Sequence, residues 1–266
     1  MAEAIPRQVK VVGTAAAVNP HTLWEASSAG YLKHIKKETD GDGRMIRDEV
    51  LHPAMLDHLG PMAGKKVFDA GCGDGILSRT LKEQGAQVIG GDFTFDFASA
   101  AHTSTPPISA MNADVAHLPI QNESFDALIS NLVLMWVPDL DRSIEEFARI
   151  LKPGGRAVIS ITHPDFNLGK FNLEDEAHPQ LILSESVREG TYLKMINGTN
   201  GPYPYYQRSH ATYVNTCTQK GLQLVPGSGL DDVFFSDEFI QKHPEYIRHQ
   251  MFPLFMIMTL EKGKTS

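Results

Sequence analysis

The sequence predicts an α/β fold, a mostly parallel sheet with helices on both faces, and three observations carry that prediction. Short apolar runs alternate with segments of helical periodicity along most of the chain, as a covered parallel sheet requires. The run Val67-Phe68-Asp69-Ala70 breaks into Gly71-Cys72-Gly73-Asp74-Gly75, so a buried strand ends in a turn where main chain can face a ligand without Cβ atoms in the way. The next apolar run, Gln87-Val88-Ile89-Gly90-Gly91, ends on Asp92, where neighbouring strands of nucleotide-binding sheets place an acid.

Taken in order, residues 20 to 60 read as two helices, Trp24 to Lys37 and Arg44 to Leu59, separated by Asp40-Gly41-Asp42-Gly43 and closed by Gly60-Pro61. Residues 1–60 are therefore expected to form a helical cover on a main domain of residues 61–266. Strands are expected near 65–70, 87–92, 108–112, 126–132, 155–161, 222–226 and 254–261. Helical spacing follows the glycine turn at Ile76, Leu77, Thr80 and Leu81. The clearest helix spans 139–151, with Leu140, Ile144, Phe147, Ile150 and Leu151 on one stripe and Pro153-Gly154-Gly155 stopping it. Residues 162–210 are rich in aromatics and turn formers and too long for an ordinary loop, which marks them as a lid.

The glycine spacing narrows the ligand. A dinucleotide fingerprint would put its third glycine at position 76, which is Ile76, so a pyrophosphate seat is disfavoured. A carboxylate matched to a vicinal diol at Asp92 leaves an adenosine without a pyrophosphate. With these features the chain resembles the class I (Rossmann-like) S-adenosylmethionine-dependent methyltransferases, and the resemblance runs in order through Val67–Gly75, Val88–Phe93, Asn112–Pro119, Ser124–Leu132 and Leu151–Gly155. It covers roughly residues 60 to 162.

The resemblance implies a seven-stranded sheet whose last strand is antiparallel, and S-adenosyl-L-methionine as cofactor. It also implies roles for Asp69, Gly71, Cys72 and Gly73 at the turn, Asp69 organising it and meeting the ligand's ammonium. Asp92 falls on the ribose hydroxyls, Phe93 beside the adenine, Asp114 on the adenine amino group, the Val115 N–H on the ring, and the Asn131 carbonyl near the ammonium. Tyr31 is a candidate aromatic face for the sulfonium. Plainer roles stay open: Asp69 as a helix cap, Asp92 and Asp114 as strand-end turn residues, and Cys72 as a small packing residue.

Candidates for a base or substrate anchor cluster after the fifth strand: His163, Tyr203, Tyr205, Tyr206, Arg208 and His210, with His163 and Tyr206 the expected catalytic pair. A histidine bonded to backbone at a strand exit, and tyrosines that merely pack the lid, are the competing readings.

Composition bounds the partners. The 266 residues carry a net charge of −8, which does not draw nucleic acid or an anionic membrane through bulk electrostatics. Cys72 and Cys217 offer no disulfide framework or thiolate metal site, which favours the cytoplasm. Residues 11–18 faintly resemble a signal peptide but are short, lack leucine and follow Glu3. His52, His58 and His117 lack mutually supporting ligand spacing, so no metal is expected. The favoured function is methylation of a small-molecule acceptor. Methylation of RNA or protein, and a protein that binds the cofactor without methylating, are the alternatives.

Overall fold

The computed structural model describes residues 20–36, 44–165, 169–172, 180–183, 189–196 and 202–264. The residues expected to separate the first two helices, Lys37 to Gly43, the candidate signal segment 11–18 and parts of segment 162–210 fall outside them. The core is a sheet in which β1 (Lys66–Ala70) pairs in parallel with β2 (Gln87–Asp92) and β4 (Phe125–Asn131). Outward from these, β3 (Ser109–Asn112) pairs with β2 and β5 (Leu151–Thr162) with β4, again in parallel. The last strand, β12 (Phe255–Lys262), runs antiparallel to β5. Beyond it lie β10 (Leu222–Leu224) and β11 (Leu230–Val233), which pair with successive stretches of β12. All seven expected strands are present, and β11 adds an eighth beside β12.

The extra strand has no period-two signature, since Leu230, Asp231 and Asp232 are all exposed. Pairing with β12 alone makes it a strand. The fifth strand also starts earlier than expected, at Leu151, directly after helix α6 (Leu140–Ile150). A register shift between Phe125 and Ala127 absorbs the Pro153-Gly154 bend, so residues that look like a helix stop already pair with β4.

Alternate residues of each strand enter opposite layers. Phe68, Leu128, Ile159 and Met258 pack with Ile144, Phe147 and Ile150 of α6. Val67, Ile129, Val158 and Ile257 pack with Leu77 and Leu81 of α4 (Ile76–Glu83) and with Leu51, Met55 and Leu59. The last two belong to α3 (His52–Leu59), so the N-terminal helical segment is built into the sheet's core. Each fully buried Leu or Phe here contributes about 1.5–3 kcal/mol.

The expected helix Arg44–Leu59 is helical but interrupted. Short α2 (Arg44–Ile46) leads into a π-helical turn at Arg47–Leu51 and then α3, a local widening that often accompanies functional sites. The first helix, α1 (Pro20–Lys36), lays Trp24 against Phe97 of α5 (Phe95–His102), Trp136 and Tyr203. In the lid segment, β6 (Gly169–Asn172) pairs with β7 (Gln180–Leu183), and β8 (Gly190–Met195) with β9 (Pro202–Gln207). Among the described residues no helix is long and apolar enough to cross a membrane.

Candidate active site

The glycine turn after β1 is built by three constraints. Gly71 N–H and Cys72 N–H both donate to Gly91 O, at 2.7 and 3.1 Å, which ties the turn to β2. Gly71 has φ +76°, and a Cβ there would stand 2.3 Å from Val133 Cγ2, so glycine is required for packing as well as conformation. Gly73 has φ +55°, and a Cβ there would meet nothing within 4 Å. Open space in front of Gly73 is what a ligand lying against the main chain needs. The Cys72 side chain points the other way, packed where a Cβ on Gly90 would come within 2.7 Å of its sulfur. Burial pushes its thiol well above the ordinary range, so it is a packing residue and not a nucleophile.

Two buried acids lie beneath this turn. Asp92 accepts from Gly73 N–H at 3.0 Å with one carboxylate oxygen and from Thr94 N–H at 2.9 Å with the other. The acid expected to meet a ribose is therefore also the clamp that shapes the turn, and each oxygen keeps a second lone pair for a ligand. Asp69 accepts from Ser78 Oγ at 2.5 Å. Burial raises the carboxyl of Asp69 to about 7 and that of Asp92 to about 6. Among the described residues neither forms an ion pair. Two buried carboxyls without a cationic side chain are suited to a positively charged ligand.

The loop after β3 carries Asp114 and Val115. Asp114 accepts from Ala116 N–H at 2.9 Å while its side chain stays about half exposed, and Val115 is buried in the core. Helix α6 holds this loop through a cluster that sequence reasoning missed. Buried Glu146 accepts from Leu118 N–H at 2.8 Å, Arg149 donates to the carbonyls of Leu118 and Ile120, and Arg142 donates to that of Ala116. Hydrogen bonding from Arg149 keeps Glu146 below the usual carboxylate range. Only the i, i+3 spacing of Glu146 and Arg149 hinted at it.

The end of β4 shows a second missed network. Leu132 sits at φ +56°, rare for a non-glycine residue, and its N–H donates to both the carbonyl and the hydroxyl of Ser160. Ser160 Oγ donates to Asn131 Oδ1 at 2.8 Å, and Asn131 Nδ2 donates to His52 Nε2 at 2.9 Å. His52 Nδ1 then faces the Asp48 carboxylate at 3.3 Å. Burial depresses His52 to about 4, so the ring is neutral, accepts through Nε2 and carries its proton on Nδ1. Asn131 is thus pinned from both sides, by β5 and by the helix that follows the π turn. A separation of 79 residues hid the His52 contact from any spacing argument.

Phe93 is partly buried, with its carbonyl 3.1 Å from His21 Nε2 and its ring 5.1 Å from that imidazole. Tyr31 joins the aromatic group of Trp24 and Phe97, with ring centroids 5.8 and 5.7 Å away. Of the acceptor-side candidates, His163 is buried, with Nε2 3.1 Å from Asp232 and Nδ1 accepting from Asp165 N–H at 3.3 Å. The His210 ring stands 4.8 Å from it. Tyr206 is half-buried under the Arg208 guanidinium, and burial raises its phenol above the ordinary range. Tyr203 and Tyr205 are buried, bonded to Leu23 O and Thr162 Oγ1. Arg208 donates to the carbonyls of Leu134, Val137 and Pro138, tying the end of β9 to the loop after β4. A cleft of about 590 Å³ opens at the amino ends of the strands, beside Lys66, Gln87, Ser109 and Phe125, the side away from all these residues.

Comparison with known proteins covers much of this edge. Residues 68–159 match the family described as Methyltransferase domain. Over these residues the chain is similar to a methyltransferase domain. A malonyl-[acyl-carrier protein] O-methyltransferase from Pseudescherichia vulneris is 33% identical over 137 residues, 50% of this chain and 55% of that protein. A demethylmenaquinone methyltransferase from Clavibacter sepedonicus is 30% identical over 115 residues, 42% of this chain and 47% of that protein. The chain spans about half the length of these curated relatives. An S-adenosylmethionine-dependent methyltransferase from Mesorhizobium loti superposes with a TM-score of 0.68 at 23% identity, over 79% of this chain and 96% of that one. The matched residues 68–159 include the glycine turn, Asp92, Asp114 and Asn131, while His52 and Ser160 lie outside them.

Proposed function

We propose that this protein is an S-adenosylmethionine-dependent methyltransferase acting on a small-molecule acceptor. The observation that carries the proposal is the glycine turn with space in front of Gly73 and two buried, cation-free carboxyls beneath it. S-adenosylmethionine supplies a methyl group made electrophilic by the sulfonium. Asp69 and the β4 exit at Asn131 are assigned to its amino-acid end, Asp92 to the ribose, and Phe93, Asp114 and Val115 to the adenine. Tyr31, within the Trp24 group, is assigned to shielding this edge from water and favouring a cation through its ring face.

Because the methyl arrives activated, the chain's main task is to hold the acceptor in line and dry. Arg208 supports this by fixing the loop after β4, and its guanidinium lies over the Tyr206 ring. An acceptor that carries a proton needs a base, and His163 is assigned to it through Nδ1, with Tyr206 as the alternative. The acidic net charge of −8 supports a small acceptor over RNA.

Calorimetric titration should give saturable binding of S-adenosylmethionine, and incubation with a metabolite pool should yield S-adenosylhomocysteine together with a product heavier by one methyl. Absence of binding would reject the cofactor assignment. Binding without S-adenosylhomocysteine formation across acceptor pools, RNA and protein would reject methyl transfer in favour of a non-methylating binder. His163→Ala should cut turnover by about 10² or more with cofactor affinity unchanged. Equal turnover at saturating substrate would remove the base role from His163.

A further inference from the structure

Three side chains from two distant segments meet at the exit of β5. One nitrogen of His163, one of His210 and a carboxylate oxygen of Asp165 lie within 4.8 Å of one another. From these contacts we infer that His163, Asp165 and His210 form a binding site for a divalent transition-metal ion of the zinc class.

The geometry supplies more than proximity. The Asp232 carboxylate, 3.1 Å from His163 Nε2, holds the imidazole proton on that nitrogen and leaves the Nδ1 lone pair for another partner. Nδ1 accepts from the Asp165 N–H at 3.3 Å, a long bond that an ion would replace at little loss. A carboxylate behind a histidine is the arrangement that orients metal-bound imidazoles and raises their basicity. The His163 main chain is fixed as well, through its N–H to Leu254 O at 2.9 Å.

His210 provides the independent observation. Its Nε2 is buried and has no hydrogen-bond partner among the described residues. A buried imidazole nitrogen left unsatisfied is disfavoured by about 1–3 kcal/mol, and a metal ion removes that penalty. His210 opens helix α7 (His210–Gln219), whose position is set by the Ser209 cap and by Glu189, which accepts from Ser209 N–H. The nearby Arg208 guanidinium is engaged by three carbonyls of the loop after β4, so it does not neutralise the cluster.

The donor set selects the class of ion. Two imidazoles and one carboxylate suit zinc, ferrous iron, cobalt or nickel, whereas magnesium and calcium favour oxygen ligands. Three protein ligands leave a position for water or an oxygen of a bound molecule. Metal and proton compete for the same Nδ1, so the base role proposed for His163 belongs to the ion-free protein, and loading the site passes that role to Tyr206.

Titration of metal-stripped full-length protein with zinc chloride should show one equivalent binding with a Kd in the micromolar range or tighter. His210→Ala and Asp165→Asn should each weaken it at least tenfold. Asp232→Asn, which removes no proposed ligand but alters the partner of His163 Nε2, should also weaken it about tenfold through the orientation of His163. X-ray absorption of the zinc-loaded wild type should give two nitrogen neighbours, a readout independent of variant folding and of methyl transfer. No saturable binding, a coordination shell without two imidazoles, or unchanged affinity in folded His210→Ala and Asp165→Asn would overturn the assignment.

Discussion

Gly71→Ala separates packing from ligand contact within the glycine turn. The new Cβ would stand 2.3 Å from Val133 Cγ2 and 3.0 Å from Cγ1, well inside contact distance, on a backbone at φ +76°. The left-handed conformation costs alanine about 1–2 kcal/mol and overpacking roughly 1–3 kcal/mol, so a loss of about 3 kcal/mol is expected. For a chain of this size that lowers Tm by roughly 6–12 °C. In a Val133→Ala background the methyl groups are gone and only Cβ remains, 3.2 Å away, so the overpacking part should largely vanish. The double-mutant cycle should therefore show a favourable coupling of about 1–2 kcal/mol. At Gly73 a Cβ meets nothing within 4 Å, so Gly73→Ala should lower Tm by only about 2–8 °C while weakening S-adenosylmethionine more than tenfold. Thermal unfolding by circular dichroism and calorimetric titration read the two quantities. Additive effects of Gly71→Ala and Val133→Ala, or near-native cofactor affinity in Gly73→Ala, would refute the reasoning.

Asp92→Ala should weaken S-adenosylmethionine at least tenfold by calorimetry, because it removes both the proposed ribose acceptor and the clamp on Gly73 N–H. Unchanged affinity would make Asp92 a turn residue only. Burial raises Asp69 to about 7 and Asp92 to about 6, above the ordinary carboxyl value near 4 that they regain on unfolding. The folded state therefore binds more protons than the unfolded between about pH 4 and 7, and these two groups lower stability as pH rises through that window. Bound cofactor should favour their ionised forms, so titrations near pH 6.5 in buffers of different ionisation enthalpy should detect proton release; no buffer dependence contradicts the role of the buried acids. His52→Ala leaves Asn131 Nδ2 without its acceptor and should weaken cofactor binding about fivefold, by the loss of roughly one hydrogen bond; equal affinity would separate His52 from the site. Arg208→Ala, and Arg208→Lys nearly as much, should destabilise the protein by about 2–4 kcal/mol in denaturant melts, since a single ammonium cannot span three carbonyls; a silent lysine variant would show that the fork geometry is not needed.

Much of the candidate site was legible because its signals are local. The strand, glycine turn and helix from Val67 to Glu83 lie within one short segment, and each residue's demand, apolar burial or positive φ, shows in its own type. The acid at the end of β2 and the stripe of α6 are equally local. Reading was harder where partners come from afar. Asp92 could be named as an acid near a ligand, but not as the clamp on Gly73 N–H, because that requires β1 and β2 to lie side by side.

The sequence by itself determined the layered sheet, the turn that faces the ligand and the acids around it, since hydrophobic period and glycine conformation act over a few residues. Tertiary structure alone decided that Leu230–Val233, exposed over its first three residues, is a strand, because β12 supplies the pairing. It likewise decided that His52 reaches Asn131 across 79 residues and that Glu146 and Arg149 hold the loop of Asp114. His163 and His210 meet for the same reason, one leaving β5 and the other opening α7. Such contacts depend on how strands and helices stack in space, and a side chain's type does not encode which distant partner the stack will bring to it.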